Sequence, residues 1–263
     1  MNDLTKEMIQ LLDCPCEVFE PMKKDRPIME AYLAARDEGK RNGFVPVLLV
    51  AEENLLENLR WAIQEDEEQP PALEKIRAWR KEQLALPLED GKEVLDARVE
   101  EVLEWVEDED EEDYWERVTA VDTSPNRPLP KYNPKEDCFS GYWDWGCDRE
   151  KTCEIILAKI PVQNPWEVFC WIPMGGWNEC PDYTSMMAIF KYWYETYQVA
   201  PAVFTSDVLE AYAEKPAQGW TQTAKLAKEQ YSFCCDIVDQ GVATVDALAA
   251  LLHQKKIWYF WWD

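Results

Sequence analysis

Residues 26–50 read RPIMEAYLAARDEGKRNGFVPVLLV, and the change of period inside this stretch decides the fold class. Ile28, Tyr32, Leu33 and Ala35 recur at helical spacing, and Gly43 supplies a stop. The apolar run FVPVLLV that follows reads as a buried strand. Upstream, CEVFEP at 16–21 reads as a short strand, and downstream EENLLENLRWAIQ at 52–64 reads as a second helix. The order β-α-β-α implies a mixed α/β unit whose sheet is covered by helices.

The middle breaks that pattern. EDEEQPP interrupts it, then PALEKIRAWRKEQLALP at 71–87 reads as a helix with Leu73, Ile76, Trp79 and Leu84 loosely on one face, and KEVLDARVEEVLEWV at 92–106 as another. From Glu100 to Glu116 no basic residue interrupts the acidic ones, so the run repels itself. Two readings stay open for Glu107, Asp108, Glu109, Asp110, Glu111, Glu112 and Asp113: a solvated helix end and loop, or an acidic arm that docks a basic surface. TSPNRPLPKYNPKED at 123–137 is rich in proline and turn formers and marks the boundary between halves.

The second half opens with CEIILAKIPV at 153–162, a β-rich run expected to be a central strand. In NPWEVFCWIPMGGWNECP at 164–181, Pro165 and Pro173 bar a continuous helix. Residues 166–172 are therefore expected as a strand, with Val168, Cys170 and Ile172 on one face and Glu167, Phe169 and Trp171 on the other. Gly175 and Gly176 permit positive φ in a tight turn. PDYTSMMAIFKYWYETYQV at 181–199 reads as a helix that Asp182 caps, burying Met186, Ile189, Phe190 and Trp193. APAVFTS reads as a strand, TAKLAKEQYSFCCDIVDQG as a helix and its exit, TVDALAALLHQ as a helix capped by Thr244 or Asp246, and IWYFWWD as a last strand buried on both faces. FVPVLLVAEENLLENL and APAVFTSDVLEAY share a proline entering an apolar strand, then an acidic residue and a Leu-Glu pair, a short internal echo.

The expected fold is α/β or α+β, a mixed sheet covered by helices in two α/β halves. They divide as 1–64 (an N-terminal α/β unit), 65–137 (an acidic helical and proline-rich connection) and 138–263 (a tryptophan-rich C-terminal α/β domain). A chain of 263 residues, 47% of them hydrophobic, can bury a sizeable core, and its fourteen tryptophans place much of the stability in aromatic packing.

Charge narrows function. Fifty-two acidic residues against 27 basic give a formal net charge of -25. Nucleic acid and anionic membrane would meet a like-signed field, so a basic protein is the partner favoured, with simple solubility as the bland account of the same charge. The aromatic-rich WDWGC and WYFWWD lack the cations that track phosphates. The opening MNDLTKEMIQLLDCPCEVF has no basic stretch before a long apolar run, and no segment reaches about 18 uncharged apolar residues. The expectation is a soluble, cytoplasmic chain. Nine cysteines, an odd and scattered number, fit reduced thiols, and none shows paired metal-ligand spacing.

No phosphate-binding or nucleophile motif occurs, and the single histidine, His253, closes a helix, so schemes needing two histidines are excluded. The best candidate ligand site is the polar end of 164–181. Trp166, Glu167, Trp177, Asn178, Glu179 and Asp182, joined by Asp236 and Asp239, could orient a ligand at a helix N-terminus, or hold an ion, or act as acid and base. The competing account is that these residues cap turns and bond their own backbone. Cys180 as a nucleophile would need a base beside it. No metal and no cofactor is expected, and the oligomeric state is left open.

The blocks NPWEVFCWIPMGGWNECP, KYWYETYQVAPAVFTSDVLE, CCDIVDQG and WYFWWD resemble those of a bacterial family known as domain of unknown function 4253, and GKRNGFVPVLLV resembles a block of its longer members. The resemblance implies a bacterial, cytosolic protein and no mechanism. On charge and the missing catalytic set, the first expectation is a non-enzymatic acidic interaction protein, for instance of the immunity type, that neutralises a basic partner. The alternative is an enzyme or small-ligand binder with a pocket around GGWNECP.

Overall fold

The computed structural model describes residues 1–63, 72–104, 116, 118–122, 124, 127–135 and 137–263. Its chain order is α1 (Asp3–Leu12), β1 (Cys16–Phe19), α2 (Arg26–Asn42), β2 (Val45–Val50), α3 (Glu53–Ile63), α4 (Leu73–Ala85) and α5 (Gly91–Glu104). Then come β3 (Ile155–Ile160), α6 (Tyr183–Tyr197), β4 (Val199–Phe204), β5 (Val208–Ala213), α7 (Gly219–Phe233), α8 (Val245–Leu252) and β6 (Ile257–Trp261). The mixed, helix-covered sheet expected from residues 26–50 is what forms.

One six-stranded sheet has the order β1-β3-β2-β4-β5-β6. Only β2 and β4 run parallel; every other neighbouring pair is antiparallel. β3 lies between β1 and β2, so strands from residues 1–64 and from 138–263 interleave in one sheet. All six positions of β2 and of β4 are buried, which is why both read as continuous apolar runs.

Two apolar layers flank the sheet. The larger holds Val47 and Leu49 of β2 with Phe190 and Trp193 of α6, Phe233 of α7 and Trp258, Phe260 and Trp262 near the C-terminus. Trp193 meets Phe233 edge-on at 5.2 Å and stacks on Phe260 at 5.9 Å, so the tryptophans act as core. The smaller layer packs Ile28, Tyr32 and Ala35 of α2 with Phe139 and Tyr142 against Leu48, Val50 and Val203.

Four expectations are corrected. Residues 166–172 are not a strand: Pro165–Cys170 form 3-10 turns. Asn164 and Glu167 make a reciprocal capping box there, and Val168 to Ile172 are all buried, so the alternation had no exposed face to report. β6 is not buried on both faces: it is an edge strand of the sheet, and its Tyr259 side chain is 39% exposed on a face that the packing leaves partly open. α4 buries Ile76 and Arg80 and leaves Leu73 and Leu84 exposed. Arg80 lies against the end of α1, donating to the Leu11 carbonyl at 2.8 Å and the Leu12 carbonyl at 3.2 Å, where a cation suits the helix dipole. The internal echo also diverges, since β2 leads into a helix and β4 into a strand.

Candidate functional site

The expected ligand residues separate into groups, each with a partner inside the chain. Glu167 accepts from the backbone N–H of Gln163 at 3.1 Å and of Asn164 at 2.9 Å, and so fixes the loop after β3. Trp166 packs edge-on against Tyr194 of α6 at 5.4 Å. At the other end of α6, Asp182 accepts from the N–H groups of Thr184 and Ser185 at 2.8 and 3.0 Å, a helix cap as expected.

Trp177 is half-buried against the main core. Asn178, at φ 45, donates its amide to the Asp263 carbonyl at 2.6 Å, while Asp236 accepts from the Asp263 N–H at 3.0 Å. These two side chains clamp the last residue of β6's extension. The Glu179 carbonyl accepts from Arg98 of α5, and its side chain is exposed. Asp239 accepts from the Tyr231 hydroxyl at 3.1 Å. Burial pushes the Cys180 thiol up, away from the thiolate a nucleophile needs. Glu107, Asp108, Glu109, Asp110, Glu111, Glu112 and Asp113 lie outside the described residues. His253 accepts from the Gly219 N–H at 3.3 Å, and burial lowers its pKa. It therefore serves as a neutral acceptor at the start of α7. Among the described residues no group of three or more His, Cys, Asp or Glu is arranged to hold a metal ion, and no helix is long and apolar enough to cross a membrane.

A different site emerges where the parallel strands end. In open α/β sheets, ligands gather outside the carboxyl ends of parallel strands. Here β2 ends at Val50 and β4 at Phe204, and a cleft of about 570 Å³ opens there, on the face that α2 covers. Its walls include Glu52, Asp144 and Asp207 together with Trp143, Trp145, Tyr259 and Trp261. Trp145 is 61% exposed.

Internal bonds hold the carboxylates in place. Glu52 accepts from the Ser206 N–H at 2.7 Å, and Asp207 accepts from the Thr205 hydroxyl at 2.9 Å and the Trp261 indole at 3.1 Å. Asp144 faces Lys151 at 3.9 Å, and the Arg149 guanidinium already sits 4.6 Å over the Trp145 ring. Carboxylates interleaved with exposed aromatic faces favour a cation. Cys153, in the same wall, is pushed up to about 11 by burial and stays a thiol at neutral pH.

Beneath the cleft, Glu210 of β5 is 1% exposed. It accepts from the N–H groups of Ser140 at 2.8 Å and Gly141 at 2.9 Å and from the Ser140 hydroxyl at 3.0 Å, pinning the cleft-forming segment to the sheet. Burial pushes its carboxyl up to about 7 despite those donors. The sequence held no local signal for this cleft, because its residues come from five separated stretches.

Neither the curated proteins nor the solved structures contain a match to the chain. The part that contributes β4, β5, β6 and nearly all of β3, residues 156–263, matches the family model described as Domain of unknown function (DUF4253).

Proposed function

We propose that the chain is a non-enzymatic binding protein for a basic partner, and that the cleft at the ends of β2 and β4 receives a lysine or arginine side chain of that partner. The observation that carries this reading is the juxtaposition of Glu52, Asp144 and Asp207 with the exposed ring of Trp145 in one cleft. The ring face and the carboxylates attract the same charge, and the net charge of -25 steers a cation toward them from a distance. Arg149 over Trp145 shows the contact in miniature, and an incoming guanidinium would take its place. An immunity-type role, in which an acidic protein covers the working surface of a basic one, is one instance of this class. The acidic run Glu107 to Asp113 would add attraction at longer range.

The test separates the cleft from bulk charge. An arginine-rich hexapeptide is titrated into the full chain by calorimetry, alongside Trp145→Ala, Asp144→Asn and, as a control of equal charge change, Glu17→Gln on the exposed side of β1. The expected result is a several-fold weakening for the two cleft variants and little change for the control. Equal effects from Asp144→Asn and Glu17→Gln, with none from Trp145→Ala, would reduce the attraction to net charge and remove the cleft from the proposal.

A further inference from the structure

A second cleft, of about 620 Å³, lies at the opposite end of the parallel pair, where β2 and β4 begin. Its chemistry is inverted. Arg36, Lys40 and Lys215 line it with one carboxylate, Glu214, in a chain whose total charge is strongly negative. Glu214 is already engaged, 2.9 Å from Arg36 and also bonded by Lys40. Lys215 is exposed and forms no ion pair among the described residues. A net positive cleft is thus maintained against the field of the whole molecule.

Its walls are built rather than incidental. The Arg36 side chain is only 10% exposed, and its guanidinium lies 3.8 Å over the Tyr212 ring, so its direction is fixed. The capping carboxylate of Glu167 holds the backbone of Gln163, whose amide would be 3.2 Å from a Cβ placed on Gly43. Gly43 itself, at φ 75, ends α2 in a left-handed conformation that favours glycine. Around these donors the lining turns apolar, with Phe44, Pro46, Val162, Pro165 and Tyr194.

We infer that this cleft binds a small organic anion, its carboxylate or phosphate head against Lys215, Lys40 and Arg36, its apolar body between Phe44 and Tyr194, and its polar substituents on the amides of Gln163 and Gln198. The volume falls in the range of ligand pockets, and a head bearing only acceptors matches a rim whose free groups donate. None of these residues belongs to the acidic cleft, so the two readings succeed or fail separately.

Calorimetric titration of the full chain with adenosine monophosphate, 4-hydroxybenzoate and inorganic phosphate tests the inference and distinguishes the two head groups. Lys215→Ala and Gln163→Ala are the variants, both at exposed side chains. The expected result is saturable binding of one of the two organic anions with Kd below about 1 mM, weakened about tenfold in Lys215→Ala. Absence of saturable binding by both organic anions, binding unchanged in both variants, or equal affinity for inorganic phosphate alone would overturn it.

Discussion

Glu210 illustrates how a single carboxyl can couple a surface site to the sheet beneath it. It bonds Ser140 and Gly141, which lead into the wall of the acidic cleft, yet it is almost fully buried. Burial raises its pKa to about 7 from the ordinary 4.5, and the donated hydrogen bonds offset only part of that. Between these two pH values the folded chain holds a proton that the unfolded chain has released, so stability falls as pH rises through that window and is level above it. The shift corresponds to roughly 3 kcal/mol. Replacing Glu210 by Gln removes the titration. The stability difference between wild type and Glu210→Gln, measured by urea unfolding at pH 5 and pH 7.5, should therefore shrink by that order at the higher pH. Parallel pH profiles would show that Glu210 does not hold the extra proton. Nothing in VLEAYA announced this role, because a glutamate in an apolar strand reads as an outward-facing residue until the segment that covers it is known.

At the scale of elements, legibility followed the strength of the local signal. α2 was readable from its periodicity and the Gly43 stop, β2 from its continuous apolar run, and α6 from its periodicity and the cap that fell on Asp182 as expected. Residues 166–172 were not, because alternation and burial gave conflicting information; the Asn164-x-x-Glu167 capping box was the signal that pointed to a helical turn. Replacing Asp182 by Ala leaves two N–H groups of α6 without an acceptor and should cost about 1 kcal/mol in denaturant unfolding. An unchanged midpoint would mean water replaces the cap at no cost. The paired glycines allow a sharper comparison. Gly175 and Gly176 have φ 96 and 85, so alanine is strained at either, but a Cβ on Gly175 would lie 1.8 Å from the Pro181 carbonyl while one on Gly176 meets nothing within 4 Å. Gly176→Ala should lose about 1–3 kcal/mol from backbone strain alone. Gly175→Ala should lose distinctly more, and equal losses would show that the turn can open.

Over the whole molecule, charge and topology act together. The interleaving of β1, β3 and β2 was not legible, because strand order depends on pairings between residues more than a hundred positions apart, such as Cys16 with Ala158. The same distance hid the acidic cleft, which brings Glu52 to Asp144 and Asp207. Net charge, by contrast, was plain from composition, and it sets two salt effects of opposite sign. Self-repulsion among an excess of 25 negative charges destabilises the compact chain, and added salt screens it, since the Debye length falls from about 30 Å at 0.01 M to about 10 Å at 0.1 M. The melting temperature should rise by a few degrees, on the order of 1–2 kcal/mol, between low and moderate salt. Attraction of an arginine-rich peptide to Glu52, Asp144 and Asp207 is screened by the same ions, so its affinity should fall over that range. Thermal unfolding and calorimetry in matched buffers measure both. A melting temperature that falls with salt would mean that favourable ion pairs such as Arg36 with Glu214 outweigh the repulsion. Affinity unchanged by salt would locate binding in the aromatic faces of Trp145 and Tyr259 rather than in the carboxylates.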